Sequence, residues 1–259
     1  MSLTIINFIS SIFMMVTGIF SLLALLKLIS AYKHKKSRAT LIFILAFIFA
    51  LTGSIILASV SIWITALYSQ GVQPSFITEL VGRVGLLLGI TLSVLGLIFV
   101  NIFSFENTFP DKIKILTLIV SISGAVFIYI LILAHVNQIF GGDLVVITGT
   151  SPLYHINIVL LGYIAILPST ISTPTVFLYS GSKIRSMDVG KSNRSIIFGI
   201  CFLLLNLGFV FGTLTFGSDF LFVIMSFISS IIVCFSSILI YLCIKMPEWF
   251  KNRIKWTDE

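Results

Sequence analysis

Seven apolar segments recur along the chain, and they constrain its fold more than any other feature. They cover residues 3–26, 41–67, 79–103, 113–135, 155–179, 195–216 and 220–244. An α-helix needs about 20 apolar residues to cross the hydrocarbon core of a bilayer. The segments do not alternate apolar and polar residues, as the strands of a transmembrane β-barrel would. We therefore predict an all-α polytopic membrane protein, a seven-transmembrane-helix bundle over residues 1–245 with a tail at 246–259.

The composition excludes a soluble domain. Hydrophobic residues make up 58% of the chain and charged residues only 10%, whereas soluble domains carry roughly 25% charged residues. The net charge of +7 does not indicate nucleic acid binding, because the basic residues lie in short loops beside the apolar segments. The expected partner of the helices is the lipid bilayer, and no nucleic acid is expected.

The basic residues also predict the orientation of the bundle. All but one of the 16 Lys and Arg residues follow the first, third, fifth or seventh segment, and the exception is Arg83. Since cytoplasmic loops carry the excess of Lys and Arg, this pattern predicts an outside N-terminus and a cytoplasmic C-terminus. The N-terminus lacks the basic region of a cleavable signal peptide, so we expect the first segment to be retained. The expected location is the cell membrane.

The tail after the seventh segment has the pattern of an amphipathic helix. At about 100° per residue, the apolar side chains of Met246, Trp249, Phe250, Ile254 and Trp256 fall on one face. Such a helix lies in the membrane interface with its apolar face in the lipid. We predict a short interfacial helix anchored by Trp249, Phe250 and Trp256.

The third segment carries a row of small residues. In lipid, helices gain no hydrophobic drive to associate, so small residues that allow close backbone approach contribute much of the packing. The sixth segment carries two more glycines at a similar spacing. We assign all of these residues to helix packing: Gly82, Gly85, Gly89, Ser93 and Gly96 in the third segment, and Gly208 and Gly212 in the sixth.

Several polar residues near the predicted outer end are candidates for ligand binding. Glu79 and Arg83 are one helical turn apart, His135 and His155 flank the longest outer loop, and Asp219 directly precedes the seventh segment. The alternative is that the first two neutralise each other locally and that the histidines are ordinary interface residues. No HxxxH or HxE spacing indicates a metal. In the loop, a Gly-Gly-Asp turn beside a β-branched run predicts a small hairpin.

The fifth segment contains the run PSTISTP, with prolines at 168 and 174. A proline frees a backbone carbonyl that side chains or water must satisfy, and we predict an interrupted helix here. Broken helices line substrate sites in some transporters, which makes Pro168 and Thr170 candidate binding residues, although such helices also occur as plain kinks. We expect Asn101 and Asn206 to hydrogen-bond between helices.

Catalysis and cofactor binding find no support in the sequence. Cys201, Cys234 and Cys243 all lie within the last two apolar segments, at a spacing that matches neither a disulfide framework nor a metal motif. No carboxylate pair within an apolar segment, no HExxH motif and no GxSxG motif is present. We therefore expect a protein that is not an enzyme, with no catalytic residues and no cofactor.

The topology, the short loops and the basic amphipathic exit MPEWFKNRIKW resemble the seven-helix N-terminal sensor regions of prokaryotic histidine kinases. The resemblance implies a sensory module. Because no kinase domain precedes the last residue, Glu259, we expect a signal to pass to a separate cytoplasmic or membrane partner. A retinal-binding rhodopsin is excluded, because the lysine nearest the seventh segment, Lys245, lies at its exit. The alternatives are a small solute transporter or channel built around the broken fifth helix, and a structural subunit of a membrane complex.

The orientation can be checked by cysteine labelling of single variants. We expect Gln73→Cys, in the loop after the second segment, to react with a membrane-impermeant maleimide on intact cells. Ser186→Cys, in the basic loop after the fifth segment, should react only after permeabilisation. The opposite pattern would show that the positive-inside prediction is wrong.

Overall fold

The computed structural model of the protein describes residues 3–69, 76–142, 144–148, 151–213 and 219–256. In chain order, the described elements are all helices or helical turns except for one β-hairpin. The elements are α1 (Leu3–Lys35), α2 (Arg38–Ser69), α3 (Phe76–Thr108), a 3-10 turn (Pro110–Lys112), α4 (Ile113–Ile139), β1 (Val145–Thr148), β2 (Ser151–Tyr154), α5 (Ile156–Ile184), α6 (Val189–Thr213), α7 (Asp219–Lys245) and α8 (Glu248–Ile254).

Seven of these helices, α1 to α7, are long and apolar enough to cross a membrane. The predicted all-α seven-helix membrane bundle is therefore confirmed, and the chain is an integral multi-pass membrane protein. The helices are longer than the apolar segments: α1 runs on to Lys35 and α5 to Ile184. Hydropathy ends where charged residues begin, but a helix continues through lysines and arginines because these are good helix formers whose charged ends reach the headgroups.

The helices pack in chain order, and the last one returns to the first. Each of α2 to α6 contacts the next helix, α1 contacts both α2 and α7, and α3 additionally contacts α5 across the bundle.

Helix α6 begins after Asp188, whose Oδ1 accepts the backbone N–H of Lys191 at 2.8 Å. This hydrogen bond holds the pKa of the Asp188 carboxyl below its usual value.

The row of small residues on α3 lies against α2. A Cβ on Gly96 would stand 2.9 Å from the backbone nitrogen of Ala50 and 3.0 Å from the carbonyl oxygen of Ala46. A Cβ on Gly53 of α2 would stand 2.6 Å from the carbonyl oxygen of Gly89. The backbones of α2 and α3 therefore touch at two levels of this helix pair. Only residues without a side chain allow so close an approach.

Other members of the predicted packing set contact side chains of neighbouring helices. Gly85 faces Val60 of α2, and Gly208 of α6 faces Val233 of α7. Gly82 is buried. Ser93 turns its hydroxyl back to the carbonyl of Gly89 at 2.9 Å. The surroundings of Gly212 lie outside the described residues.

The hairpin predicted in the long outer loop is present, with β1 and β2 antiparallel and Val145 opposite Tyr154. It follows a glycine-terminated helix. Gly141 has φ +83°, a left-handed conformation, and the next N–H, that of Gly142, reaches back to the carbonyl of Asn137 at 2.9 Å. This cap satisfies the end of α4 and turns the chain into the hairpin.

Six phenylalanine rings from α2, α3, α5 and α6 form one cluster toward the predicted cytoplasmic end. We call it the phenylalanine cluster; its members are Phe43, Phe47, Phe103, Phe177, Phe198 and Phe202. Phe43 and Phe103 stack with ring centroids 4.3 Å apart. Phe250 and Ile254 of α8 belong to the same buried core, so α8 is part of the bundle and not only attached to it.

We expect Gly96→Ala to lower the stability of the folded protein by about 1–3 kcal/mol, since its methyl group would force α2 and α3 apart. Gly18→Ala on α1 is the matched control, because a Cβ there meets nothing within 4 Å. Thermal unfolding of both variants in detergent measures the difference. Equal stability of the two would contradict close backbone packing of α2 and α3.

Candidate functional site

Four polar side chains from three elements meet at the predicted outer end, and we call them the outer polar cluster. Arg83 of α3 is only 8% exposed, and its Nη1 donates a hydrogen bond to Oε1 of Gln138 on α4. His135 lies one turn before Gln138 on the same face of α4 and is 2% exposed. Its Nε2 lies 3.1 Å from the hydroxyl oxygen of Tyr154, the last residue of β2.

One atom of this cluster is buried without a hydrogen bond. Within the described residues, Nδ1 of His135 has no partner. Burial raises the pKa of the Tyr154 hydroxyl, so Tyr154 keeps its proton and can donate it to Nε2. In the tautomer that accepts this hydrogen bond, neutral His135 carries its own proton on Nδ1 as a buried donor. A cationic guanidinium and an imidazole N–H on one buried surface suit a ligand with an anionic or carbonyl oxygen.

The sequence named two of these four residues, Arg83 and His135, and the structure brings them into one cluster. It does not add His155, which is exposed at the start of α5, where its Nδ1 accepts the backbone N–H of Asn157 at 3.3 Å. The side chains of Glu79 and Asp219 lie outside the described residues. The sequence analysis did not identify Gln138 and Tyr154 as site residues, although the three-residue spacing from His135 to Gln138 places both on one helix face.

The prolines of α5 stand in a helix that is continuous from Ile156 to Ile184, so the predicted interruption is wrong. Pro174 has no N–H for the carbonyl of Thr170, the residue four positions before it. The side-chain amide of Asn206 on α6 donates to that same carbonyl. A side chain from the neighbouring helix thus replaces the missing bond, and the helix continues.

Further polar bonds join α5 to α3. The amide of Asn101 donates to the carbonyl of Ser169 at 2.8 Å, and its carbonyl oxygen accepts the hydroxyl of Thr173 at 2.9 Å. All three residues are fully buried. The interhelical bonds predicted for Asn101 and Asn206 are therefore confirmed, and both end on α5.

The hydroxyls of α5 and α4 bond in the same way. Ser169 donates to the carbonyl of Val120 on α4 at 2.9 Å, and Ser123 of α4 donates back to the carbonyl of Ala165. Thr170 turns its hydroxyl to the carbonyl of Leu167 within α5. Thr170 thus lies in a network of polar bonds between helices, while Pro168 is half-buried on the same helix.

At the opposite end of the bundle, α8 is held against the start of α6. The amide of Asn193 donates to the carbonyl of Ile254 at 3.0 Å. A Cβ on Gly190 would stand 2.6 Å from the carbonyl oxygen of Lys255, so the two backbones touch. Of the predicted anchors, Trp249 is 59% exposed, Phe250 is 6% exposed, and Trp256 follows α8. Phe250 therefore packs into the bundle, while Trp249 remains on the outer face of α8.

Comparison of the chain with protein-family models, with curated proteins and with solved structures finds no match. Function is therefore inferred from the side chains of this chain itself.

We expect Asn206→Leu to destabilise the folded protein by about 1–3 kcal/mol, because it leaves the buried carbonyl of Thr170 without a donor. In a Pro174→Ala background, the introduced alanine can supply its own N–H to that carbonyl. The penalty should then fall by at least about 0.5 kcal/mol. Unfolding of the four proteins of this cycle in detergent measures the coupling.

The matched control for Asn206→Leu is Asn107→Leu. Asn107 is exposed, and the one bond of its amide within the described part of the chain goes to the carbonyl of Phe103, in its own helix. Its loss should change stability by less than about 0.5 kcal/mol. An equal loss in both variants would show that the bond from α6 to α5 contributes nothing specific.

Proposed function

We propose that the protein is a receptor-like membrane protein that detects a ligand at the outer polar cluster and passes a signal through α6 and α8 to a separate protein partner. The proposed ligand carries an anionic or carbonyl oxygen. The proposed location is the cell membrane, with α8 on the cytoplasmic side.

The observation that carries this proposal is the double contact of α6. In one half of the bundle the ring of Phe209 on α6 lies 6.2 Å from the ring of Phe127 on α4, the helix that supplies His135 and Gln138. At the other end Asn193 of α6 bonds to the chain at the end of α8. A helix is stiff, so a displacement of α4 at one end can move α8 at the other.

The character of the outer polar cluster supports the same proposal. Buried polar groups are costly unless they are bonded. Nδ1 of His135 is buried and has no partner among the described residues. A ligand that accepts a hydrogen bond there would stabilise one arrangement of α3, α4 and the hairpin over another. Such a difference in stability between two states is the minimum that a receptor needs.

The transporter alternative receives less support. It would use the polar groups of α5 to line a path, but Ser169 and Thr173 are already bonded to α4 and α3. The carbonyl of Thr170 is bonded to α6. Moving a solute past them would require these buried bonds to break, at about 1–3 kcal/mol each.

The test is hydrogen exchange of the full chain in lipid nanodiscs, with Tyr154→Phe as the variant. It removes one hydroxyl from the outer polar cluster and leaves the ring packing in place. We expect exchange of the amides in residues 248–256 to change by at least about fivefold, the lower end of typical coupling between distant sites.

Tyr129→Phe is the control, because Tyr129 lies on α4 with 60% of its surface exposed and makes no described contact with the cluster. It should leave α8 unchanged. If Tyr154→Phe alters exchange only around the hairpin and the outer end of α4, the two ends are not coupled and the receptor proposal is wrong. Flux of solutes in proteoliposomes that depends on Thr170 would instead favour transport.

A further inference from the structure

Arg194, in the second turn of α6, is held from three sides. Its Nε donates a hydrogen bond to the carbonyl of Cys243 at the end of α7, at 3.0 Å. The guanidinium carbon lies 5.3 Å from the centroid of the Trp256 ring and 5.7 Å from that of Phe198. Both distances are typical of cation–π contact, which contributes about 0.5–2 kcal/mol. The side chain is therefore fixed before any ligand arrives.

The contact with Trp256 depends on an unusual backbone. Lys255 adopts φ +58°, in the left-handed region, at a cost of roughly 1 kcal/mol for a residue other than glycine. This conformation closes the end of α8, where the N–H of Trp256 reaches the carbonyl of Lys251 at 2.9 Å. Gly190 leaves room for the turned chain. Sequence and backbone thus place the Trp256 ring on the guanidinium.

The charge of Arg194 is not balanced by a carboxylate among the described residues. The described ion pairs join Arg38 to Glu106, Lys191 to Asp188 and Lys251 to Glu248. The two terminal amino groups of Arg194 donate to no described residue, and neither is a buried atom without a partner. Each therefore keeps some contact with solvent, although the side chain as a whole is half-buried. A fixed guanidinium whose forked end keeps this access is suited to bind phosphate with two parallel hydrogen bonds.

The position of Arg194 decides which phosphate is in reach. The stretch of α6 that is long and apolar enough to span a membrane begins at Val189, so we expect its second turn near the boundary between headgroups and hydrocarbon. On α8 beside it, Trp249 is exposed, as tryptophans at membrane interfaces commonly are. The ammonium-bearing side chain of Lys255 is exposed next to Trp256. Phospholipid phosphates occupy the same layer of the bilayer at high local concentration.

We propose that Arg194 binds the phosphate group of a membrane phospholipid, in a seat formed by Arg194, Phe198 and Trp256 at the junction of α6 and α8. The lipid phosphate completes the hydrogen bonding of the guanidinium and neutralises its charge at the interface. The stacked rings hold the guanidinium plane in place. A lipid bound there would lie against the place where α6 and the end of α8 are in contact.

The test uses the full chain purified in a maltoside detergent, which contains no phosphate. Dioleoyl phosphatidylglycerol is then added, and the midpoint of thermal unfolding is followed against lipid concentration. We expect the wild-type midpoint to rise, and the apparent affinity for lipid to fall at least about tenfold in Arg194→Gln. Arg194→Lys should lie between the two, because it keeps the charge but loses the planar fork. Arg185→Gln changes an exposed arginine between α5 and α6 and should behave as wild type.

Two further arms identify the ligand. Dioleoylglycerol, which has the same acyl chains without phosphate, should give no Arg194-dependent shift, and neither should inorganic phosphate at the same concentration. If Arg194→Gln folds poorly, Trp256→Leu keeps the arginine and removes its stacking partner, and it should weaken lipid binding several-fold. An unchanged lipid response in Arg194→Gln overturns the proposal and leaves an acidic side chain of a protein partner as the ligand. An equal response to dioleoylglycerol or to free phosphate overturns it as well.

Discussion

The hydrogen bond from Asn206 to the carbonyl of Thr170 is the contact on which the middle of the bundle depends. Lipid offers no water to a carbonyl that Pro174 has left without its helical donor, so a protein group must replace it. Because α6 supplies that group, α5 remains a continuous helix. A continuous α5 can contact α3, α4 and α6 at once, which makes it the common neighbour of the central helices.

Two kinds of close contact hold the central helices together: direct contact between backbones, and hydrogen bonds made by side chains. Helices α2 and α3 meet backbone to backbone at Gly53, Gly89 and Gly96, where no side chain intervenes. Helices α3 and α5 meet through Asn101, which bonds to Ser169 and Thr173. With its polar groups bonded in this way, the middle of the bundle is suited to transmit displacement. Among the described residues, the buried side-chain atoms without a hydrogen-bond partner lie toward the two ends, at Nδ1 of His135 and Oε2 of Glu106.

Hydropathy and charge predicted the seven helices, and local patterns predicted the hairpin after Gly141 and the interhelical bonds of Asn101 and Asn206. These features depend on neighbours in the chain or on contact with lipid, both of which a sequence displays. The prediction of an interrupted α5 failed because the replacement donor for Thr170 is 36 positions away. Tyr154 and Arg194 were missed for the same reason, since only the fold brings Tyr154 to His135 and Arg194 to Cys243 and Trp256. Gln138 was missed although its spacing from His135 places both on one helix face.

The pairing of the first helix with the last has a consequence for biosynthesis. The hydroxyl of Ser10 on α1 lies 2.6 Å from that of Ser230 on α7, a separation of 220 positions in sequence, and Phe13 packs on Phe227. Ribosomes add about 5–20 residues per second, so α1 resides in the membrane for on the order of 10–40 s before its partner is made. Until then α1 can pack against α2, its other main neighbour in the described part of the finished protein. The bundle closes only after α7 has been synthesised.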